Sequence, residues 1–255
     1  MIRSYKEFFK EEQLQISTET YISIGWGGNS GILELEDTAI IIDTKIEKKA
    51  EEFYKSIESK LEDKKIIIVN THLHSEHTAG NYLYNANKIY IPNYSNEVWN
   101  KENKEINYID KLPYFKVEEE IVIKDNENVV RIIPVGNAHT FNDLIVYFEN
   151  EKIMFVGDLF FNKYHPVVMG KTGVDISEWM SVIYSIIEKY DMKSIVPGHG
   201  PIAEVENFKE QADYFKDILN NKNDNKNLRQ IKKKYKHFDN IPNHANFKKV
   251  VDYVK

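Results

Sequence analysis

Apolar residues gather along this chain in short runs parted by polar turns, and the spacing inside those runs predicts alternating strands and helices. Ile16 to Ile24, Gly31 to Leu35, Ala39 to Ile42 and Ile66 to Val69 are short and rich in β-branched residues. Each stops at a glycine, a charge or a polar cluster, so each reads as a strand. Between 47 and 61 the period changes, and Ala50, Phe53, Tyr54, Ile57 and Leu61 fall on one helix face. Lys88 to Ile91 adds a small strand, and the polar, aromatic stretch from there to Asp110 specifies no element. In the second half Val117 to Ile123 and Val129 to Val135 read as strands. Leu144 to Phe148 and Lys152 to Val156 form a hairpin around Glu149-Asn150-Glu151. Asp175 with Glu178 looks like a capping box opening a helix to Tyr190, with Trp179, Ile183 and Ile187 on its buried face. Ser194 to Val196 is the last strand. Phe208, Gln211, Phe215 and Leu219 mark another amphipathic helix, and the polar run Asn220 to Asn227 should break it. The lysines at 232, 233, 234 and 236 read as a solvated helix face. There is no internal repeat.

Composition narrows what such a chain is for. With 255 residues, 42% of them hydrophobic, a sizeable core is available to one large domain or two small ones. The absence of cysteine excludes disulfides, thiolate metal sites and a cysteine nucleophile. Any metal must then be held by nitrogen and oxygen, a donor set that suits zinc, iron or manganese. The formal net charge of -6 argues against a nucleic-acid partner, which needs a basic footprint. Met1 to Ser17 is polar and lacks the apolar core of a signal peptide, and no run is long enough to span a bilayer. A soluble, cytoplasmic protein with no membrane partner is the expectation.

The densest chemistry lies between Asn70 and Asn81, where His72, His74, Glu76 and His77 fall within six positions directly after the apolar run ending at Val69. Residues two apart in an extended segment point to the same side, so His72 and His74 can reach one cation. A helix opening at Ser75 would aim Glu76 and His77 at a neighbouring position, giving two metal ions side by side. Eight histidines in the whole chain make such a cluster improbable by chance. Three more metal-competent residues follow strands in the same way: His139 after Gly136-Asn137-Ala138, Asp158 after Gly157, and His199 between Gly198 and Gly200. A single carboxylate has two oxygens, so Asp158 is suited to bridge two cations. Gly25 to Ser30, with Trp26 at its tip, is a glycine-rich turn, but no Lys-Ser/Thr follows and the nucleotide reading is weak.

With these motifs the chain resembles the metallo-β-lactamase fold superfamily of metal-dependent hydrolases, over roughly Glu19 to Ile218. The resemblance rests on Asp43 ending an early strand, the His72-x-His74-x-Glu76-His77 cluster, His139, Asp158 after glycine, and His199 in a glycine-rich turn. It implies an α/β, four-layer αββα sandwich of two mixed β-sheets flanked by helices. Residues 1–222 would form the hydrolase domain, and 223–255 a helical C-terminal extension packed on the same domain. Under the resemblance, His72, His74 and His139 hold the first metal, Glu76, His77 and His199 the second, and Asp158 bridges them. Asp43 would orient a ligand histidine. Glu76 departs from the pattern, which usually has Asp there, and is longer by one methylene.

Such a site implies metal-assisted hydrolysis by an activated water, with Glu76 and Asp158 as the carboxylates that orient it and pass a proton. The expected cofactors are two divalent ions, zinc first, with iron or manganese as alternatives. The expected substrate is a small molecule carrying an ester, lactone, thioester or amide bond. The rival readings are β-lactamase-like activity on β-lactams and a non-enzymatic metal-binding protein of the same fold. Trp26, Asn29, Tyr164 and His165 are the expected substrate contacts, with Tyr164 and His165 overhanging the metals from their place just after Asp158.

Overall fold

The strand Thr38–Ile42 is buried along its whole length, yet its side chains go two ways. Ile40 and Ile42 face one apolar layer while Ala39 and Ile41 face another, the alternation that a pleated strand imposes. That alternation, repeated in both sheets, makes three apolar layers and hence an αββα sandwich. A computed structural model describes residues 12–102 and 112–254. The first sheet has seven strands in sequence order: β1 (Glu12–Gln15), β2 (Thr20–Ile24), β3 (Ser30–Glu34), β4 (Thr38–Ile42), β5 (Lys65–Val69), β6 (Lys88–Pro92) and β7 (Tyr114–Val117). It is antiparallel to β4 and parallel from there to β7. The second has five: β8 (Ile121–Asp125), β9 (Asn128–Gly136), β10 (Asp143–Phe148), β11 (Ile153–Phe161) and β12 (Ser194–His199). Its order is β12-β11-β10-β9-β8, and only the β11–β12 pair is parallel.

Between the sheets, Ile22, Leu33, Ile40, Ile42 and Val69 meet Val130, Ile132, Leu144, Val146 and Phe155. Helix α1 (Glu47–Ile57) covers the outer face of the first sheet through Phe53 and Ile57. Two short helices follow, α2 (Ser75–Thr78) and α3 (Asn96–Glu102). The outer face of the second sheet is covered by α4 (Ile176–Lys189), α5 (Val205–Asn221), α6 (Asn225–Lys234) and α7 (Phe247–Tyr253). Leu228, Ile231, Tyr235, Phe247 and Val250 share one core with Trp179 and Phe215. The Asp175 carboxylate caps α4, accepting from the backbone N–H groups of Ser177 and Glu178 at 2.9 and 3.0 Å.

Four of the departures from the apolar pattern are instructive. The run Ile16 to Ile24 is the end of a hairpin, not one strand: the Ser17 hydroxyl accepts from the Thr20 N–H and turns the chain between β1 and β2. The run Val117 to Ile123 is split between the two sheets, because Glu118-Glu119-Glu120 breaks the alternation where the chain crosses from one to the other. The strand predicted to stop at Val156 continues through Asp158 to Phe161 with two irregularities in its pairing to β12. The polar run at 220–227 holds only a three-residue break, since α5 reaches Asn221 and Asp224 already caps α6. Of the unassigned stretch ending at Asp110, α3 is now defined and 103–111 lie outside the described residues, as do 1–11 of the polar N-terminal segment.

Candidate metal centre

Strand β5 ends at Val69, and the loop after it carries His72 and His74 before α2 supplies Glu76 and His77. This turn is held from beneath by buried amides. The Asn70 side chain donates to the His77 carbonyl at 3.0 Å and pairs reciprocally with Asn81, while Thr44 donates to Asn81 at 2.9 Å. His72 Nε2 and His139 Nε2 each face His74 Nδ1, at 3.0 and 3.2 Å. Asp158 lies between two sets of rings. Its Oδ2 is 3.4 Å from His139 Nε2 and 3.8 Å from His72 Nε2, and its Oδ1 is 3.2 Å from His77 Nε2 and 3.4 Å from His199 Nε2. One ligand atom from each of His72, His74, His139 and Asp158 lies within 4.8 Å of the others, and the same is true of Glu76, His77, Asp158 and His199.

Neutral hydrogen bonding cannot satisfy this arrangement. Three ring nitrogens turned towards one another have too few protons and too many lone pairs to pair off, whereas one cation at their centre would take all three. His77 Nε2 and Asp158 Oδ1 are buried without a hydrogen-bond partner, although they face each other. Buried polar atoms normally find partners, so these orphans point to a ligand. The residues present form two groups whose nitrogen and oxygen donors fit divalent cations.

The tautomers needed for such binding are set from outside. Asp43 Oδ2 accepts from His77 Nδ1 at 2.7 Å and from the Thr71 hydroxyl at 2.7 Å, and its Oδ1 accepts from the Thr71 N–H at 2.8 Å. Thr71 Oγ1 in turn stands 3.1 Å from His72 Nδ1. With Thr71 donating to Asp43, His72 donates to Thr71, so both rings keep their protons on Nδ1 and turn Nε2 inward. Burial pushes His72 well below its ordinary pKa, with repulsion from His77 adding to it. His139 is pushed down to about 3 by burial, against the attraction of Asp158. Burial also pushes His77 down, but the Asp43 and Asp158 carboxylates outweigh it and hold the ring well above its ordinary value. For Asp158, burial acts upward and is overcome by His199 and His77, which keep it anionic and well below the usual range. The two carboxylates that stabilise a proton on His77 would stabilise a cation in its stead.

Three glycines are close-approach residues here. A Cβ on Gly28 would stand 2.7 Å from the His77 ring, one on Gly198 would stand 2.0 Å from Asp158 Oδ1, and one on Gly157 would stand 2.3 Å from Thr71 Oγ1. The first of these shows what the glycine-rich turn does: it wraps a histidine. Sequence reasoning missed Thr71, which couples His72 to Asp43, and Asp143, whose carboxylate accepts from Thr140 N and Oγ1 at 2.9 and 2.7 Å and pins the loop of His139. Burial pushes Asp143 up to about 7 despite those bonds. The Thr140-x-x-Asp143 spacing was the available signal. It also missed Gln211, a polar residue on an apolar helix face, whose side chain accepts from Phe161 N and donates to Leu159 O across the irregular part of β11.

A cavity of about 210 Å³ opens over both groups, with His74, Glu76, Asp158 and His199 at its floor. Trp26 stands on its rim, 38% exposed. The other expected substrate contacts are turned elsewhere. Asn29 spends its side chain on structure, donating to the Pro197 and Gly200 carbonyls at 2.8 Å and accepting from Gly25 N at 3.1 Å, which ties the glycine-rich turn to the turn of His199. Tyr164 and His165 do not overhang the groups, because their backbone pairs with Asp239: His165 N donates to Asp239 O, and Asp239 N donates to Lys163 O. The Tyr164 side chain is buried and lines a different cavity, behind His199. His165 is buried against Phe238 and Phe247, with Nδ1 3.0 Å from the Tyr214 hydroxyl.

The fold and this donor set define the class: a metal-dependent hydrolase fold with its histidine and carboxylate groups where the two sheets meet. The chain belongs to the metallo-beta-lactamase superfamily, whose sequence model matches residues 24–199, more than half of the chain. Solved structures agree on the fold. A metallo-beta-lactamase from Pontibacter korlensis superposes with a TM-score of 0.66 at 19% identity, covering 80% of this chain and 99% of that one. The DIM-1 metallo-beta-lactamase gives 0.62 at 18% identity, covering 80% and 97%. A double mutant of the sec-alkyl sulfatase PisA1 gives 0.68 at 15% identity and covers 88% of this chain, which spans about half the sulfatase. Curated proteins yield no match by sequence. Among the described residues no helix is long and apolar enough to cross a membrane.

Proposed function

We propose that this protein is a hydrolase that uses two divalent cations, zinc first with iron or manganese as alternatives, to cleave an ester, lactone, thioester or amide bond in a small molecule. The observation that carries the reading is the division of Asp158, with Oδ2 turned to the three-histidine group and Oδ1 to the other. His72, His74 and His139 would hold the first cation, Glu76, His77 and His199 the second, and Asp158 both. Bound there, such cations supply Lewis acidity and bring the pKa of a coordinated water to about 7.

The chain's own residues do the rest. Asp43 and Thr71 hold the Nδ1 protons of His77 and His72, so Nε2 is the nitrogen each ring turns inward, and a cation would take the place of the second proton that the carboxylates hold on His77. Asp158, held anionic, balances the positive charge and fixes the spacing of the two groups. Glu76 reaches the cavity floor and is only half-buried, so it can take a proton from the attacking water and hand it to the leaving group. No side-chain nucleophile is required. Residues 223–255 act as a helical extension of the same domain.

The test is metal analysis of the purified protein coupled to a screen over p-nitrophenyl esters, lactones, thioesters, phosphodiesters and a chromogenic β-lactam. Two ions per chain and hydrolysis that chelation abolishes and zinc restores are expected. A protein that takes up neither zinc, iron nor manganese would sink the reading.

A further inference from the structure

The family match ends at residue 199, yet two residues well beyond it reach the cavity. Ile241 and His244 belong to a tight turn closed by Ile241 N to Ala245 O and Ala245 N to Ile241 O, at 3.0 and 2.9 Å, with Asn243 in the left-handed region at φ 63°. The segment before it is fastened to 163–165 by backbone bonds at Asp239, immediately downstream of the strand that carries Asp158. The turn is therefore fixed relative to the ligand groups. Across the cavity stand Trp26 and Ile46, and Val167 and Met169 complete the walls. Among the lining residues described there is no lysine or arginine. Lys45, the nearest lysine in sequence to this wall, is fully buried and donates to the Gly28 carbonyl at 2.6 Å. Away from the Glu76 and Asp158 carboxylates of the floor, an anionic group on the non-reacting part of a substrate would find no lysine or arginine, while an alkyl or aryl group would find the apolar surface of Trp26, Ile46, Val167, Met169 and Ile241.

We propose that the C-terminal turn Asp239–Ala245 is the specificity wall of this site, and that the cavity takes a substrate whose non-reacting portion is a neutral alkyl or aryl group. The proposal rests on the hydrolase reading for the word substrate, but the pocket itself can be tested without any reaction. Trp26 on the rim is the reporter. In metal-free protein, titration with ethanol, butanol and hexanol followed by tryptophan fluorescence should show affinity rising by about fourfold per buried methylene, with Trp26→Phe losing the signal. Met169→Glu, at a 37% exposed position that does not threaten folding, should flatten the series by placing a charge in the wall. Ile241→Ala, checked for its melting temperature, should cut the gain from butanol to hexanol severalfold. In the metal-loaded protein the same gradient should appear in kcat/KM along neutral p-nitrophenyl acyl esters.

A flat alkanol series in the wild type, or one that neither substitution changes, overturns the proposal. So does hydrolysis that prefers an anionic acyl group over a neutral one of equal length. Graded alkanol binding with no hydrolysis of any ester, lactone, thioester or amide by the metal-loaded protein would leave the pocket standing and remove the hydrolase reading. Ester hydrolysis indifferent to chain length would do the reverse.

Discussion

The two ligand groups share Asp158 and little else. The first is three buried imidazoles whose inward nitrogens crowd to 3.0–3.2 Å, seated on strand-end loops and backed by aromatic packing of Trp179 on His139 at 5.1 Å. The second mixes one half-buried carboxylate with His77 and His199, and it is the group on which the glycine-rich turn closes. A shell of three imidazoles from fixed loops is pre-organised and selects borderline metals. A shell with a longer carboxylate at the mouth of a cavity is adjustable. Under the proposed function, the first group should hold an ion tightly and the second should be where affinity and proton transfer are tuned.

The sharpest way to break that contrast is to remove what the groups share. Asp158→Asn leaves a residue of the same shape with no negative charge, so both ions should be weakened together and hydrolysis should fall by at least ~10²-fold, with the circular dichroism spectrum retained. A variant that hydrolyses normally would reduce Asp158 to a strand residue. Next comes Glu76. As a ligand, its replacement by alanine should leave about one ion per chain, whereas as a proton carrier alone it should leave both ions and cost ~10²–10⁴-fold in kcat. Metal counting decides between them, and Glu76→Asp sharpens the answer: a backbone set for the longer side chain should bind the second ion less well.

A smaller effect is expected from Asp43→Asn. Its carboxylate bonds His77 directly and His72 only through Thr71, so affinity for the second ion should drop about 10–100-fold and that for the first by less. Equal losses at both would erase the distinction. The smallest effect lies away from the groups, at His165, which burial, helped by Lys232 and His237, holds at about 4. The unfolded ring titrates near 6.5, so the folded state favours the neutral form. Its contribution is complete above pH 6.5 and is lost progressively as pH falls towards 4, at most ~2–3 kcal/mol. Urea unfolding of the wild type and His165→Phe at pH 7 and 4.5 measures it, and parallel curves would exclude it.

Much of this was readable before any coordinates. Strand-end placement of His72, His74 and His139 follows from apolar runs that stop at polar turns, and the helix opening at Ser75 follows from the cluster itself. What escaped depends on contacts distant in sequence. Nothing local in Asp158 shows that its strand runs on to Phe161, because the continuation is stabilised by Gln211 and by pairing with β12. Asn29 looked like a ligand-facing loop residue, yet its partners at Pro197 and Gly200 are some 170 positions away. Tyr164 and His165 were placed over the metals by proximity to Asp158, and the backbone pairing to Asp239 rotates them out. The approach of Ile241 and His244 to the cavity was invisible for the same reason.

Each ligand group draws from both sheets: His72, His74, Glu76 and His77 follow β5, whereas His139, Asp158 and His199 belong to the second sheet or the loops that leave it. A cation in either place would thus be a cross-link across the sandwich, and one in the first would close a loop of 65 residues between His74 and His139. This chain has no cysteine with which to staple its two halves. A disulfide would restrict so long a loop in the unfolded ensemble, whereas a cation held only by the folded protein leaves on unfolding, so its stabilisation is set by mass action. That amounts to about 4 kcal/mol at a free ion concentration 1,000 times Kd. A chelator should therefore lower the melting temperature and loosen one sheet against the other, visible as faster amide exchange in β5 and β11.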